Sequence, residues 1–167
     1  EVAAEDISLD ERGIKKVFEL VNRKQPIDPV DFLQTLIVAR LNYDRYVIKA
    51  KMENDVVVKW RLKEIICQKG KYEARSTFSD EHIQRKILYL QAALQVSNAS
   101  QRHKEWVYAI LSAKDDIRNS GTALLNLLEE FAVRRILAYR DEWKEKLWAL
   151  GLQTPRLLLN VIDYLMW

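Results

Sequence analysis

A chain of 167 residues with 49% hydrophobic and 31% charged side chains has the size and composition of an ordinary globular domain, which excludes a disordered or collagen-like chain and lets folding bury about 70% of the unfolded surface. Its net charge of +3 is too small to imply a nucleic-acid partner unless the cations cluster. The single Cys67 excludes an internal disulfide, and with no run of 18 apolar residues and an acidic start over residues 1–10 the sequence predicts a cytoplasmic protein that neither spans a membrane nor is exported.

Four Gly and three Pro leave few places for tight turns, so long helices are expected over a meander of short strands. Ser8-Leu9-Asp10-Glu11 has the spacing of a capping box and predicts a first helix over residues 9–24, stopped before Pro26. Asp28 then caps a second helix with Pro29 in its first position, where the missing N–H costs nothing. Phe32, Leu33, Leu36, Ile37, Arg40, Leu41 and Tyr43 repeat at helical spacing and carry this helix to about Lys49.

Residues 51–75 read two ways. Val56-Val57-Val58 favours a short strand, whereas Trp60, Leu62, Ile65 and Ile66 suit a short helix; a loop followed by a helix ending near Gly70 is expected. Ser79-Asp80-Glu81 starts the next helix, with Ile83, Ile87, Leu90 and Leu94 as its apolar stripe. Ser100 is expected to cap a helix turning Trp106, Val107, Ile110 and Leu111 inward, and Ser120 one that buries Leu124, Leu128, Phe131 and Ile136. A shorter helix from Asp141 should close at Gly151, and Thr154-Pro155 should start the last. The expected fold is therefore all-α, a bundle of about seven to eight helices. Residues 1–27 would form an N-terminal helix and linker, and residues 28–167 one helical domain. The abrupt apolar ending Leu165-Met166-Trp167, and the start at Glu1, suggest a piece cut from a longer chain.

No residues have the spacing of a catalytic, cofactor or metal site. His82 and His103 lack metal-ligand partners, Cys67 beside Ile65 and Ile66 reads as a small hydrophobe, and the adjacent acids of Asp115-Asp116 and Glu129-Glu130 point about 100° apart on a helix. Of five Trp, Trp106 and Trp143 fall at core positions, while Trp60, Trp148 and Trp167 are either core or a partner-binding face. Charge is uneven in one region. Between Arg40 and Arg75 ten Lys or Arg stand against five acids, a local excess of +5. Arg40, Arg45, Lys49, Lys51, Lys59, Arg61 and Lys63 are the candidate nucleic-acid contacts, since a cation cluster releases counterions from a phosphate backbone. Interleaved acids also fit a plain solvated surface. Arg134-Arg135 and Arg140 form a second, weaker cluster.

Four stretches together resemble the GmrSD-type restriction endonucleases: Arg40-Leu41-Asn42-Tyr43-Asp44-Arg45-Tyr46-Val47-Ile48-Lys49; Leu90-Gln91-Ala92-Ala93-Leu94-Gln95-Val96 with Arg102 and Trp106 after it; Leu128-Glu129-Glu130-Phe131-Ala132-Val133-Arg134-Arg135; and Leu159-Asn160-Val161-Ile162-Asp163-Tyr164-Leu165-Met166-Trp167. The resemblance runs from about Asp28 onward and rests on packing residues. In that family a module similar to ParB and sulfiredoxin hydrolyses nucleotide through an Asp-Gly-Gln-Gln-Arg-like motif, and an HNH-like module with a His-Ile-x-Pro motif cuts DNA with a divalent metal. Neither motif occurs here. The resemblance thus implies a non-catalytic helical connector between two such modules, without cofactor of its own, with the rest of the parent chain and DNA as partners. The alternatives are a free-standing helical protein-interaction module using exposed Trp and Leu, and a small complete enzyme.

Overall fold

A computed structural model describes residues 11–24, 26–54, 56–97, 105–143 and 156–166. The chain divides into two compact units, residues 1–40 and 41–167.

In the first unit, helix α1 (Glu11–Lys24) ends ahead of Pro26 and helix α2 (Pro29–Tyr46) begins on its expected cap. Asp28 Oδ1 accepts the N–H of Val30 at 2.7 Å and of Asp31 at 3.1 Å, which satisfies two donors that an uncapped helix leaves free. Between the helices Asn22 Oδ1 accepts the N–H of Ile27 at 3.0 Å. The Phe18 and Phe32 rings meet edge to face, 4.8 Å between centroids.

After α2 the chain departs from the expected fold. Instead of a loop and a helix, residues 49–76 form two antiparallel hairpins: β1 (Lys49–Glu53) with β2 (Val56–Arg61), and β3 (Lys63–Gln68) with β4 (Lys71–Ser76). The protein is a mixed α and β structure, and the all-α expectation is wrong. The reason lies in turn chemistry. A two-residue hairpin needs only a pair of residues that tolerate the left-handed region. Lys69 and Gly70, at φ 51° and 76°, supply both central positions of one turn, and Asn54 at φ 50° enters the other. The three β-branched valines favour extended backbone, and Lys59-Trp60-Arg61-Leu62-Lys63 alternates with the period of two that a strand requires. Cys67 is exposed on β3 opposite Tyr72, contrary to its expected place on a buried apolar face.

The helices of the second unit follow: α3 (Glu81–Ser97), α4 (Glu105–Ser112), α5 (Asp115–Asn119), α6 (Gly121–Trp143) and α7 (Arg156–Met166). Within Ser79-Asp80-Glu81 it is Asp80 that caps α3, accepting the N–H of His82 at 2.8 Å and of Ile83 at 3.0 Å. Ser120 Oγ accepts from Ala123 at the start of α6, and α6 runs through Asp141 without a break. Ser8, Ser100, His103, Trp148, Gly151, Thr154, Pro155 and Trp167 lie outside the described residues, as does most of the expected helix from Asp141 to Gly151.

The core lies in the second unit, where Ile87, Leu90 and Leu94 of α3 meet Trp106 and Ile110 of α4, Leu124 and Leu128 of α6, and Leu157 and Val161 of α7. Two features fix the hairpins to this helical body. Gln91, fully buried on α3, donates from Nε2 to the Tyr46 carbonyl and accepts at Oε1 from the Ile48 N–H, both at 2.9 Å, closing the backbone groups left between the end of α2 and the start of β1. Leu62, 1% exposed, anchors the link between the hairpins, and Gln84 donates to its carbonyl at 2.5 Å.

Candidate nucleic-acid interface

The hairpin β1–β2 sorts the candidate cations by face. Lys49 stands directly opposite Arg61, and Lys51 opposite Lys59, with a bulge immediately after Lys51. Side chains alternate across a strand, so these four cations share one face while Ala50 and Trp60, paired to each other, take the opposite one. Trp60 is half-buried against the core, and this orients the cations outward.

Like charges set directly across a ladder destabilise the pairing, and this hairpin places two such pairs in succession. Acids relieve one strand only. Lys49 Nζ donates to the carbonyl of Asp44 at the C-terminal end of α2 and lies 3.7 Å from its carboxylate, where the negative end of the helix dipole favours a cation. Lys51 pairs with Glu53. Lys59 and Arg61 on β2 have no carboxylate partner among the described residues.

The remaining candidates are placed differently. Arg45 is committed to Glu64: its Nε lies 2.8 Å from Glu64 Oε2, while Arg75 Nε approaches Oε1 of the same carboxylate at 2.6 Å. Glu64 is only 7% exposed, and the Arg45 guanidinium also stacks 5.2 Å above the Tyr46 ring. This cluster ties the end of α2 to the hairpin β3–β4. Lys63 is exposed on β3 opposite Ser76, and Arg40 is exposed on α2 within the first unit. Of the seven candidates the structure therefore gathers Lys49, Lys51, Lys59 and Arg61 on one face and assigns Arg45 a structural ion pair.

Residues that the sequence reading did not select join this region through a groove of about 230 Å³. One wall is the consecutive run Lys59, Trp60, Arg61, Leu62 and Lys63. The other is a face of α3 made by Glu81, Gln84, Arg85 and Leu88, which share that face at helical spacing. Gln84 is occupied, since it also accepts the Phe78 N–H at 3.0 Å. Glu81, the acid of the groove, has a 90% exposed side chain and stands 3.9 Å from Arg85. The signal was present in the strictly alternating Lys59-Trp60-Arg61-Leu62-Lys63, which places cations and apolar groups on opposite faces only if read as a strand.

Elsewhere, Arg118 is 7% exposed and closes the α4–α5 connection by donating to the carbonyls of Leu111 and Ala113 and to Asp115. The Tyr46 phenol, which donates to Asn119 Oδ1 at 2.5 Å, is raised above its ordinary pKa by burial, against the opposing pull of Arg45 and Arg118. Among the described residues no group of three or more His, Cys, Asp or Glu could hold a metal ion, and no helix is long and apolar enough to cross a membrane. No family model, curated protein or solved structure matches the chain.

Proposed function

We propose that this chain is a non-catalytic nucleic-acid-binding segment whose contact is the cationic face of the hairpin β1–β2. The observation that carries this reading is the double cross-strand pairing of like charges, Lys49 with Arg61 and Lys51 with Lys59. Such pairs work against the hairpin's own stability, and a phosphate backbone laid over them converts the repulsion into attraction by neutralising the cations and releasing its counterions. Lys59 and Arg61, without a carboxylate partner among the described residues, supply the free charge; Lys49 and Lys51 keep a carboxylate close by. The contact is to backbone, so it positions the chain on its partner and carries no sequence preference.

The stretches similar to GmrSD-type endonucleases support a wider reading, in which this is the connector between a nucleotide-hydrolysing and a DNA-cutting module and holds the DNA between them. The flanking sequence tests that: an Asp-Gly-Gln-Gln-Arg-like motif before this segment and a His-Ile-x-Pro motif after it are expected, and their absence from the intact gene would refute it. The binding reading is tested by titrating a fluorescently labelled oligonucleotide at low salt. Binding lost on Lys59→Glu with Arg61→Glu supports it, and binding indifferent to both substitutions overturns it.

One observation favours a protein partner as the second reading. On α7, Leu159, Ile162 and Met166 are 49%, 43% and 84% exposed and share one helix face at i, i+3 and i+7, a row of apolar side chains of the kind that anchors protein interfaces. A chain that binds no nucleic acid at low salt would be read this way.

A further inference from the structure

The groove beside the cationic face points to the class of nucleic acid recognised, an inference that rests on the proposed backbone contact. Lys59 and Arg61 belong to both features: they occupy the outer face of β2 and also line the groove, to which Trp60 contributes from the opposite face of the same strand. A strand of phosphates neutralised by these two residues therefore passes along the mouth of a recess with an aromatic side chain in its wall. Leu62 and Leu88 add apolar surface, and Lys63 and Arg85 add two further cations. At about 230 Å³ the space is below the range of roughly 300–1,000 Å³ typical of drug-sized ligand sites, which suits one planar ring and not a run of stacked bases.

A base in a duplex is stacked on both faces and can enter such a recess only after being extruded, at a cost in unpairing and unstacking. An unpaired base has no such cost, and its stacking on an aromatic side chain is tolerant of sequence. We infer that the chain binds single-stranded or unpaired nucleic acid in preference to duplex, with the backbone on Lys59 and Arg61 and one base held in the groove against Trp60, under the cations Lys63 and Arg85.

The test uses the whole 167-residue chain and three labelled 12-nucleotide probes: an oligothymidylate, the same strand with every base removed, and a 12-base-pair duplex. The oligothymidylate is expected to bind about tenfold more tightly than the abasic strand, which retains the phosphates but has nothing to stack, and more tightly than the duplex. Because Trp60 packs on the core, the groove is probed through its exposed rim by Arg85→Glu, with Trp60→Phe included if its thermal unfolding matches that of the parent. Arg85→Glu should weaken the oligothymidylate at least threefold more than the duplex. Equal affinity for the oligothymidylate and abasic strands, with both lost in the Lys59→Gln, Arg61→Gln variant, would overturn the base-binding inference while leaving the backbone contact standing. Binding of all three probes unchanged in that variant would overturn both.

Discussion

Neutralising two cations on β2 should weaken nucleic-acid binding while strengthening the fold, and this opposition of signs separates a binding face from an ordinary surface. The perturbation is Lys59→Gln with Arg61→Gln. Each removes one member of a like-charge cross-strand pair, Lys51 with Lys59 and Lys49 with Arg61, and relief of each repulsion should stabilise the hairpin by about 0.2–1 kcal/mol. Neither residue forms an ion pair among the described residues, so no compensating contact is lost. On the binding side, each phosphate contact contributes about −0.7 to the slope of log K against log salt for a single strand and about −0.9 for duplex. Two lost contacts should make the slope shallower by about 1.4 on a single strand, so that between roughly 50 and 200 mM salt the parent loses about sevenfold more affinity than the variant does. Fluorescence anisotropy over a salt series gives the slopes, and urea unfolding gives the stability. A variant whose salt slope is unchanged, or whose stability falls, would refute the reasoning.

Three further outcomes follow from the interior. Gln91→Leu leaves the Ile48 N–H and the Tyr46 carbonyl unpaired where both were satisfied by one buried amide; urea unfolding should show a loss of about 2–4 kcal/mol. Gly121→Ala places a Cβ 2.9 Å from Ile83 Cγ2 and 3.2 Å from Phe78 Cδ1. Overpacking of this kind costs about 1–3 kcal/mol, which should outweigh alanine's helix propensity of about 1 kcal/mol and lower the melting temperature. Burial first, and then the 2.7 Å hydrogen bond donated to Glu129, raise the Tyr164 phenol above its ordinary value of 10.0. The unfolded chain therefore releases this proton before the folded one does, and the phenol's contribution is whole below that pH and lost as pH rises past it. Tyr164→Phe should flatten the alkaline decline of stability that unfolding titrations show from about pH 10 upward.

The helical part of this fold was legible because its signals are local and redundant. Asp28 and Pro29 announce α2, Ile87, Leu90 and Leu94 mark the buried stripe of α3, and Leu124 and Leu128 mark that of α6; each stands where its spacing puts it. The hairpins are hidden in composition because scarcity of Gly does not mean scarcity of turns. Asn54 and Lys69 adopt positive φ, and a hairpin asks for no more than two such residues. Reading Trp60, Leu62, Ile65 and Ile66 at helical spacing also hid the strict alternation around them. The same strand register governs the site. As a list of basic residues, Arg45 and Lys59 look equivalent, yet Arg45 is held by the buried carboxylate of Glu64, nineteen positions further along the chain, and only strand register could show that Lys59 and Arg61 lie opposite Lys51 and Lys49. Charge density was thus visible in sequence, whereas its division into ion-paired and unneutralised cations depended on pairing that the sequence states only weakly.

The central claim is that the outer face of β1–β2 meets a phosphate backbone. It is tested most directly by recording amide chemical shifts of the isotope-labelled chain while an unlabelled 12-nucleotide strand is added at low salt. The account predicts that the shifts concentrate at Lys49, Lys51, Lys59 and Arg61 and at the neighbouring groove residues Lys63 and Arg85. Shifts confined to α7, or a spectrum unchanged at saturating strand, would contradict it.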